Sequence, residues 1–271
     1  MKSSNAVLAT PYLAKILIYP VKSLDGLELQ HTGFMPGGAL QHDRQYALMD
    51  PEGAFVDGKR YASIYRLRSH LCLDTMVLSL RIEGETSTRQ FHLQNDCLAL
   101  ETWLSEYFAQ PITLAQETTI GFPNDVVSPG PTVISTATLE TIASWFPELT
   151  VGDIRRRFRA NLELDGVPPF WEDRLFSASG EPVPFCIGDV RLLGINPCQR
   201  CIVPTRNSYT GDATSEFQKM FVAQRKLSLP EWAARSRFNH FYRLSVNTRV
   251  PMSEVGKVLR VGDRVYVDPE R

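Results

Sequence analysis

The chain has 271 residues, 43% hydrophobic and 22% charged, and a formal net charge of −1, so no bulk cationic field draws it to nucleic acid or acidic membranes and any anion site has to be local. No stretch approaches the ~20 apolar residues of a transmembrane helix, and the run Ile16 to Tyr19 is too short for a secretion signal. Five cysteines at positions 72, 97, 186, 198 and 201 make no disulfide framework; a cytoplasmic protein without nucleic-acid or membrane partners is the expectation.

In chain order, residues 14–21 and 44–50 read as strands, as do 76–84 and 89–95. A helix follows over 96–108, with Asp96 as N-cap and an apolar stripe of Leu100, Trp103, Leu104, Tyr107 and Phe108. Residues 109–131 are rich in Pro and Gly and lack periodicity, which makes them the boundary between a module at 1–115 and a domain at 116–271. A second helix spans 135–146, capped by Ser135 or Thr136, and a third spans 216–226. Phe158, Arg159 and Ala160 alternate as in a strand, residues 184–195 read as strand broken at Gly188-Asp189, and 241–248 and 257–268 as strands. The fragments IGDVRL (187–192) and VGDRVYV (261–267) share a Gly-Asp tight-turn signal and predict hairpins of a small barrel. Strands outnumber helices without regular βαβ alternation, which predicts a β-rich mixed α+β fold and argues against a doubly wound sheet.

The segment NPCQRCIVPTRNSYTG (196–211) carries the chemistry. Cys198 and Cys201 form one close pair with no second Cys or His pair to complete a structural zinc site. The Pro-broken IVPT that follows is not the helix of a thioredoxin-like redox pair. Packed thiols are the usual fate of such residues. Arg200 beside Cys201 and Arg206 nearby shift the balance, because neighbouring cations favour the thiolate that ligates metals and attacks electrophiles. Thr210 and Gly211 offer a hydroxyl and backbone N–H groups to an anion.

This segment resembles the cysteine motif of the MOSC domain, found in molybdenum cofactor sulfurases and in the mitochondrial amidoxime-reducing component and its bacterial relatives. Other pieces follow in order: IYPVKSLDG (18–26), HDRQYALMD (42–50), FPNDVVSPGPTVISTATL (122–139), RRFRANLELDG (156–166) with PFWEDRL (169–175), and the closing VGDRVYV (261–267). The resemblance implies a β-barrel MOSC domain behind a smaller N-terminal β-barrel or α+β module. It implies a molybdenum–molybdopterin cofactor with Cys201 as metal ligand and catalytic residue and Cys198 as structural. Cofactor contacts are expected from Lys22, Ser23, Arg44, Ser135, Thr136, Arg159, Asn161, Arg200, Thr210 and Gly211. The implied activity is reduction of N-hydroxylated compounds with electrons from a separate reductase protein, because the chain carries neither the N-terminal membrane anchor nor the iron–sulfur module of some relatives. The rival expectation is a carrier of the cofactor, or of sulfur as a Cys201 persulfide. One departure is Arg206-Asn207-Ser208-Tyr209, where the animal enzymes have an acidic run; Asn207 can hydrogen-bond there without charge.

Overall fold

The computed structural model describes residues 10–267; residues 1–9 and 268–271, including Asp268 at the end of the expected closing strand, lie outside the described residues. The chain begins with β1 (Tyr12–Ile18), β2 (Leu27–Leu29), β3 (His31–Thr32) and β4 (Tyr46–Met49), then a meander of β5 (Leu67–Cys72), β6 (Val77–Ile82) and β7 (Thr88–His92). Next come α1 (Cys97–Phe108), β8 (Thr113–Gln116), β9 (Val133–Ser135), α2 (Thr136–Ser144), α3 (Val151–Phe158) and β10 (Leu162–Asp165). The last part holds β11 (Val183–Ile187), β12 (Val190–Gln199), α4 (Phe217–Leu227), β13 (Arg243–Arg249), β14 (Leu259–Arg260) and β15 (Val265–Val267).

Eight strands form one sheet in the order β15-β11-β12-β13-β9-β10-β1-β2. The sheet curls back on itself. Leu13 donates its N–H to Asp263 O at 2.8 Å and Val265 donates to Pro11 O at 2.8 Å, which joins the start of β1 to the approach of β15. Alternation along the strands fills the interior: Leu13, Ile16 and Ile18 of β1, Leu162 and Leu164 of β10, and Phe185 and Ile187 of β11 are fully buried in one cluster. Each such side chain contributes about 1.5–3 kcal/mol. On the opposite face of β10, Glu163 lies under α2 and α3, whose apolar residues Leu139, Ile142, Ile154 and Phe158 pack with Phe217 and Phe221 of α4.

The smaller module contains the β5-β6-β7 meander, the β4–β8 ribbon and α1. Its separate core includes Leu67, Leu78, Leu80, Leu100 and Leu104. The mixed α+β class is as expected. The first strand nevertheless belongs to the large sheet, since β1 pairs with β10. The smaller module is therefore an excursion between β3 and β9 along the chain.

Three local expectations need correction. Phe158 ends a helix and Arg159 is its left-handed cap, so the two do not continue a strand with Ala160. Thr150 and Asp153 form a reciprocal capping box that starts α3, and Arg155, Arg156 and Arg157 in its last turn suit the negative end of the helix dipole. The VGDRVYV segment is a corner rather than a hairpin, because β14 pairs with β3 while β15 pairs with β11. Asp96 precedes α1 without capping it; its carboxylate instead accepts from His92 N at 2.9 Å. The IGDV turn is a true hairpin, with Ile187 opposite Val190 and Gly188 at φ +58°.

Candidate functional site

A cleft of about 1020 Å³ opens between the barrel and the smaller module. Of the residues singled out in the sequence, Lys22, Ser23, Arg44, Arg159, Asn161, Arg200 and Cys201 line it. They come from the loop after β1, the approach to β4, the end of α3 and the end of β12. Ser23, Arg44 and Arg159 have φ of 73°, 50° and 54°. Left-handed backbone costs an L-residue roughly 1–2 kcal/mol, and its concentration here is the kind found at ligand sites.

One end of the cleft is cationic. Lys22 is only 8% exposed, yet its ammonium has neutral acceptors alone, Phe122 O at 2.9 Å and Asn124 Oδ1 at 3.0 Å. Burial, followed by the charges of Arg44 and Lys59, lowers its pKa from 10.5 to about 8. Arg159 caps α3, donates to Leu24 O at 2.7 Å and lies 4.0 Å from the centre of the Tyr19 ring. Desolvation lowers its pKa. Arg44 lies over the same ring at 5.1 Å and pairs with Asp43, whose other oxygen accepts from Tyr19 N at 2.8 Å. Tyr19 thus spaces two guanidinium groups that would otherwise repel at closer range.

The other end holds the cysteines, and they differ. Cys198 is buried at the end of β12 and donates to Asn247 Oδ1 at 2.7 Å; burial pushes its thiol pKa up. Asn247 in turn donates to Asp125 Oδ2 at 3.2 Å and Asn196 Oδ1 at 2.9 Å. Cys201, just past β12, is exposed. Beside it Arg200 stacks on Phe158 and donates to Phe158 O, with Nε buried and unpartnered. Among the described residues no group of three His, Cys, Asp or Glu could hold a metal, so a metal at Cys201 would take its other ligands from a cofactor.

Four expected contacts are engaged elsewhere and do not line the cleft. Ser135 is fully buried and caps α2 by accepting from Thr138 N at 3.2 Å. Thr136 donates to Glu163 Oε1 at 3.0 Å. Thr210 donates to Asp212 Oδ2 at 2.6 Å. Gly211 packs the cysteine loop onto the smaller module; at φ +79°, an added Cβ would lie 2.5 Å from Ala62 O. Asn161 reaches the cleft, but its amide is occupied, donating to Leu17 O at 3.0 Å and accepting from Thr132 N at 3.1 Å.

The structure adds residues that the sequence did not single out as contacts. Tyr209 is sandwiched between Arg68 of β5 at 5.0 Å and Arg156 of α3 at 4.6 Å, and Arg68 donates to Ser208 O at 3.2 Å. Asn207 accepts from Tyr209 N at 2.8 Å, a turn that presents the ring. Tyr65, from the smaller module, faces Arg206 and Cys201; burial raises its pKa to about 12. The clustered arginines of 155–159 are the sequence signal that could have found Arg156. Nothing local in the sequence marks Tyr65 or Arg68.

Comparison with known proteins agrees with this architecture. Residues 10–111 match the MOSC N-terminal beta barrel domain and residues 132–266 match the MOSC domain. The chain is similar to a molybdenum cofactor sulfurase of Drosophila mojavensis, 26% identical over 239 residues, and to one of Drosophila melanogaster, 24% identical over 241. These alignments cover 76% and 77% of this chain but 29% of each sulfurase, so the chain spans less than a third of the length of those relatives. With both domains present in series around one cationic cleft, the chain is a MOSC-domain protein.

Proposed function

We propose that the cleft holds molybdenum cofactor by its phosphate and presents the Cys201 thiol to it, making the chain a carrier of the cofactor or of a sulfur atom held on Cys201. The observation that carries this reading is the meeting, in one cleft, of an exposed thiol with buried cations that lack carboxylate partners. Lys22, Ser23, Arg44 and Arg159 suit the phosphate: the Lys22 ammonium is desolvated among cations, and an anion would relieve it. Similarity to cofactor sulfurases supports a role in handling the cofactor or its sulfur. In the sulfur step, the Cys201 thiolate attacks the outer sulfur of a donor persulfide. A new S–S bond forms on Cys201, the donor's S–S bond breaks, and the donor leaves as a thiolate, with no net oxidation.

A second reading is reduction of N-hydroxylated compounds, R–NH–OH plus two electrons and two protons giving R–NH₂ and water, with a separate reductase protein as electron source. The 1020 Å³ volume favours it. That is the top of the ~300–1,000 Å³ range of ligand pockets and leaves room beside a cofactor for a small substrate. The bound cofactor would supply the two-electron, oxygen-transfer chemistry; the chain's residues would orient and desolvate it.

The test is molybdenum content by elemental mass spectrometry, in protein made with the cofactor pathway intact. Near-stoichiometric metal is expected in wild type and Cys198→Ser, and little in Cys201→Ser. Equal loss in both variants would overturn the ligand assignment. A gain of one sulfur atom at Cys201 after exposure to a persulfide donor supports the carrier; turnover of an amidoxime with an artificial reductant supports the second reading.

A further inference from the structure

Ten Lys and Arg line the cleft against five Asp and Glu, in a chain whose overall charge is −1. Four of the ten, Arg44, Arg68, Arg155 and Arg156, are within ion-pair distance of carboxylates. Among the described residues the other six have no such partner. The Lys22, Arg44 and Arg159 end suits one phosphate. Glu83, Glu163 and Asp153, partners of Arg68, Arg155 and Arg156 outside the lining, offset three of the lining's positive charges and Lys15 offsets Glu28, so a phosphate monoester, at about −1.5 to −2 charges, leaves an excess of about one. That excess falls to Arg200, next to the exposed Cys201 in the chain, and Arg206, which acts together with Cys201 on Tyr65. Arg206 donates one N–H to Gly211 O at 2.9 Å and keeps Nε buried without a partner, while Arg68 and Arg156 hold the Tyr209 ring between them. Both sandwiching guanidinium groups are already ion-paired, Arg68 with Asp25 and Glu83 and Arg156 with Asp153, which leaves Arg200 and Arg206, of these four, as the unpaired cations.

We infer that the Cys201 end of the cleft is a second anion subsite, which binds a small organic reactant bearing a phosphate or carboxylate and delivers it to the thiol. This inference rests on the reading that Cys201 is the reacting thiol, but not on the presence of the cofactor. A low-dielectric cleft lined by one sign of charge concentrates counter-ions and raises their association rates by roughly 10- to 1,000-fold. A donor or substrate carrying an anionic group gains this advantage over a neutral one of the same size.

The experiment compares alkylation of Cys201 by iodoacetate and by iodoacetamide, read at the Cys201 peptide by mass spectrometry. Both reagents form the same S–C bond with loss of iodide and differ in charge. The reference is the iodoacetate-to-iodoacetamide rate ratio at Cys201 in the same chain unfolded in urea. In the folded protein at low salt the ratio is expected to exceed that reference at least tenfold. It should fall to within about twofold of it at 1 M salt, where the Debye length is about 3 Å. Arg206→Gln and Arg200→Gln are each expected to lower it two- to fivefold; the second variant covers the case in which the first misfolds. Stronger protection of Cys201 by glycerol phosphate than by succinate would assign a phosphate ester, and the reverse a carboxylate. A folded ratio at or below the unfolded one overturns the subsite. A protein that prefers iodoacetate but retains no molybdenum refutes the cofactor reading alone, and one that retains molybdenum without the preference refutes the subsite alone.

Discussion

Two regions of this molecule bury charge, and they do it differently. Behind the barrel, the Arg225 guanidinium, 1% exposed, pairs with Asp173 between the rings of Phe170 and Phe238. In the cleft, Lys22 and Arg159 are desolvated against carbonyls, an amide and an aromatic face. Removing a cation from water costs several kcal/mol in either place. Behind the barrel a carboxylate of the same chain offsets that cost. At Lys22 and Arg159 the offset is missing, whereas Arg44 and Arg155 of the same cleft have Asp43 and Glu163. Partner type therefore separates ions paired within the fold from ions left without a carboxylate, although all of them are buried arginines, lysines or acids.

The largest expected effect breaks the first kind. Asp173→Ala leaves Arg225 buried and unpaired and should cost roughly 3–5 kcal/mol in urea unfolding. Replacing both partners, as Asp173→Leu with Arg225→Met, should recover most of that loss. Glu172 next door sharpens the comparison, because it is buried without a cation. Its Oε2 accepts from Thr138 Oγ1 at 3.1 Å, while Oε1 has no partner. Burial first, then the charge of Asp173, raises its pKa from 4.5 to about 7. The folded chain therefore keeps a proton that the unfolded chain releases between pH 4.5 and 7, so stability falls across that window and stays lowered above it. Glu172→Gln should match wild type below pH 4.5 and exceed it above pH 7, by up to roughly 3 kcal/mol. Parallel stability curves for the two proteins would show that the carboxylate is solvated or paired.

Periodicity made β1, β11 with the start of β12, β13 and three of the four α-helices among the described residues legible, because alternation in residues such as Ile16 and Ile18 and the stripe Leu100–Leu104 are local properties, while the short β2, β9 and β10 were not legible. Helix α3 was misread because Arg155, Arg156 and Arg157 hide its apolar pair Ile154 and Phe158; the Thr150–Asp153 capping box was the available signal. The cysteine pair was legible as a motif, and in the structure Cys198 is buried and Cys201 exposed. Ser135 and Thr136 could not be separated from site residues by sequence, since a hydroxyl that caps a helix and one that binds phosphate are the same residue type. Their partners, Thr138 and Glu163, are fixed only by the packing of α2 on β10. Tyr65, Arg68 and Tyr209 meet across two modules, from positions more than a hundred residues apart, and no local pattern encodes that meeting.

Lys22→Met gives the smallest stability effect and bears most directly on the comparison. Burial, with Arg44 and Lys59 nearby, lowers the Lys22 pKa to about 8 from 10.5. Between those values the unfolded chain holds a proton that the folded chain has lost, so wild-type stability rises with pH through the window. Methionine removes that slope. Below pH 8 the variant should lie within about 1 kcal/mol of wild type, because losing the bonds to Phe122 O and Asn124 Oδ1 offsets the relief of no longer burying a charge. Binding of inorganic phosphate, measured by calorimetry, should be weakened most below pH 8, where wild-type Lys22 is charged, and the two proteins should converge near pH 10. A Lys22→Met variant that lost several kcal/mol of stability with phosphate binding unchanged would put Lys22 with Arg225, among the cations whose partner is the fold itself.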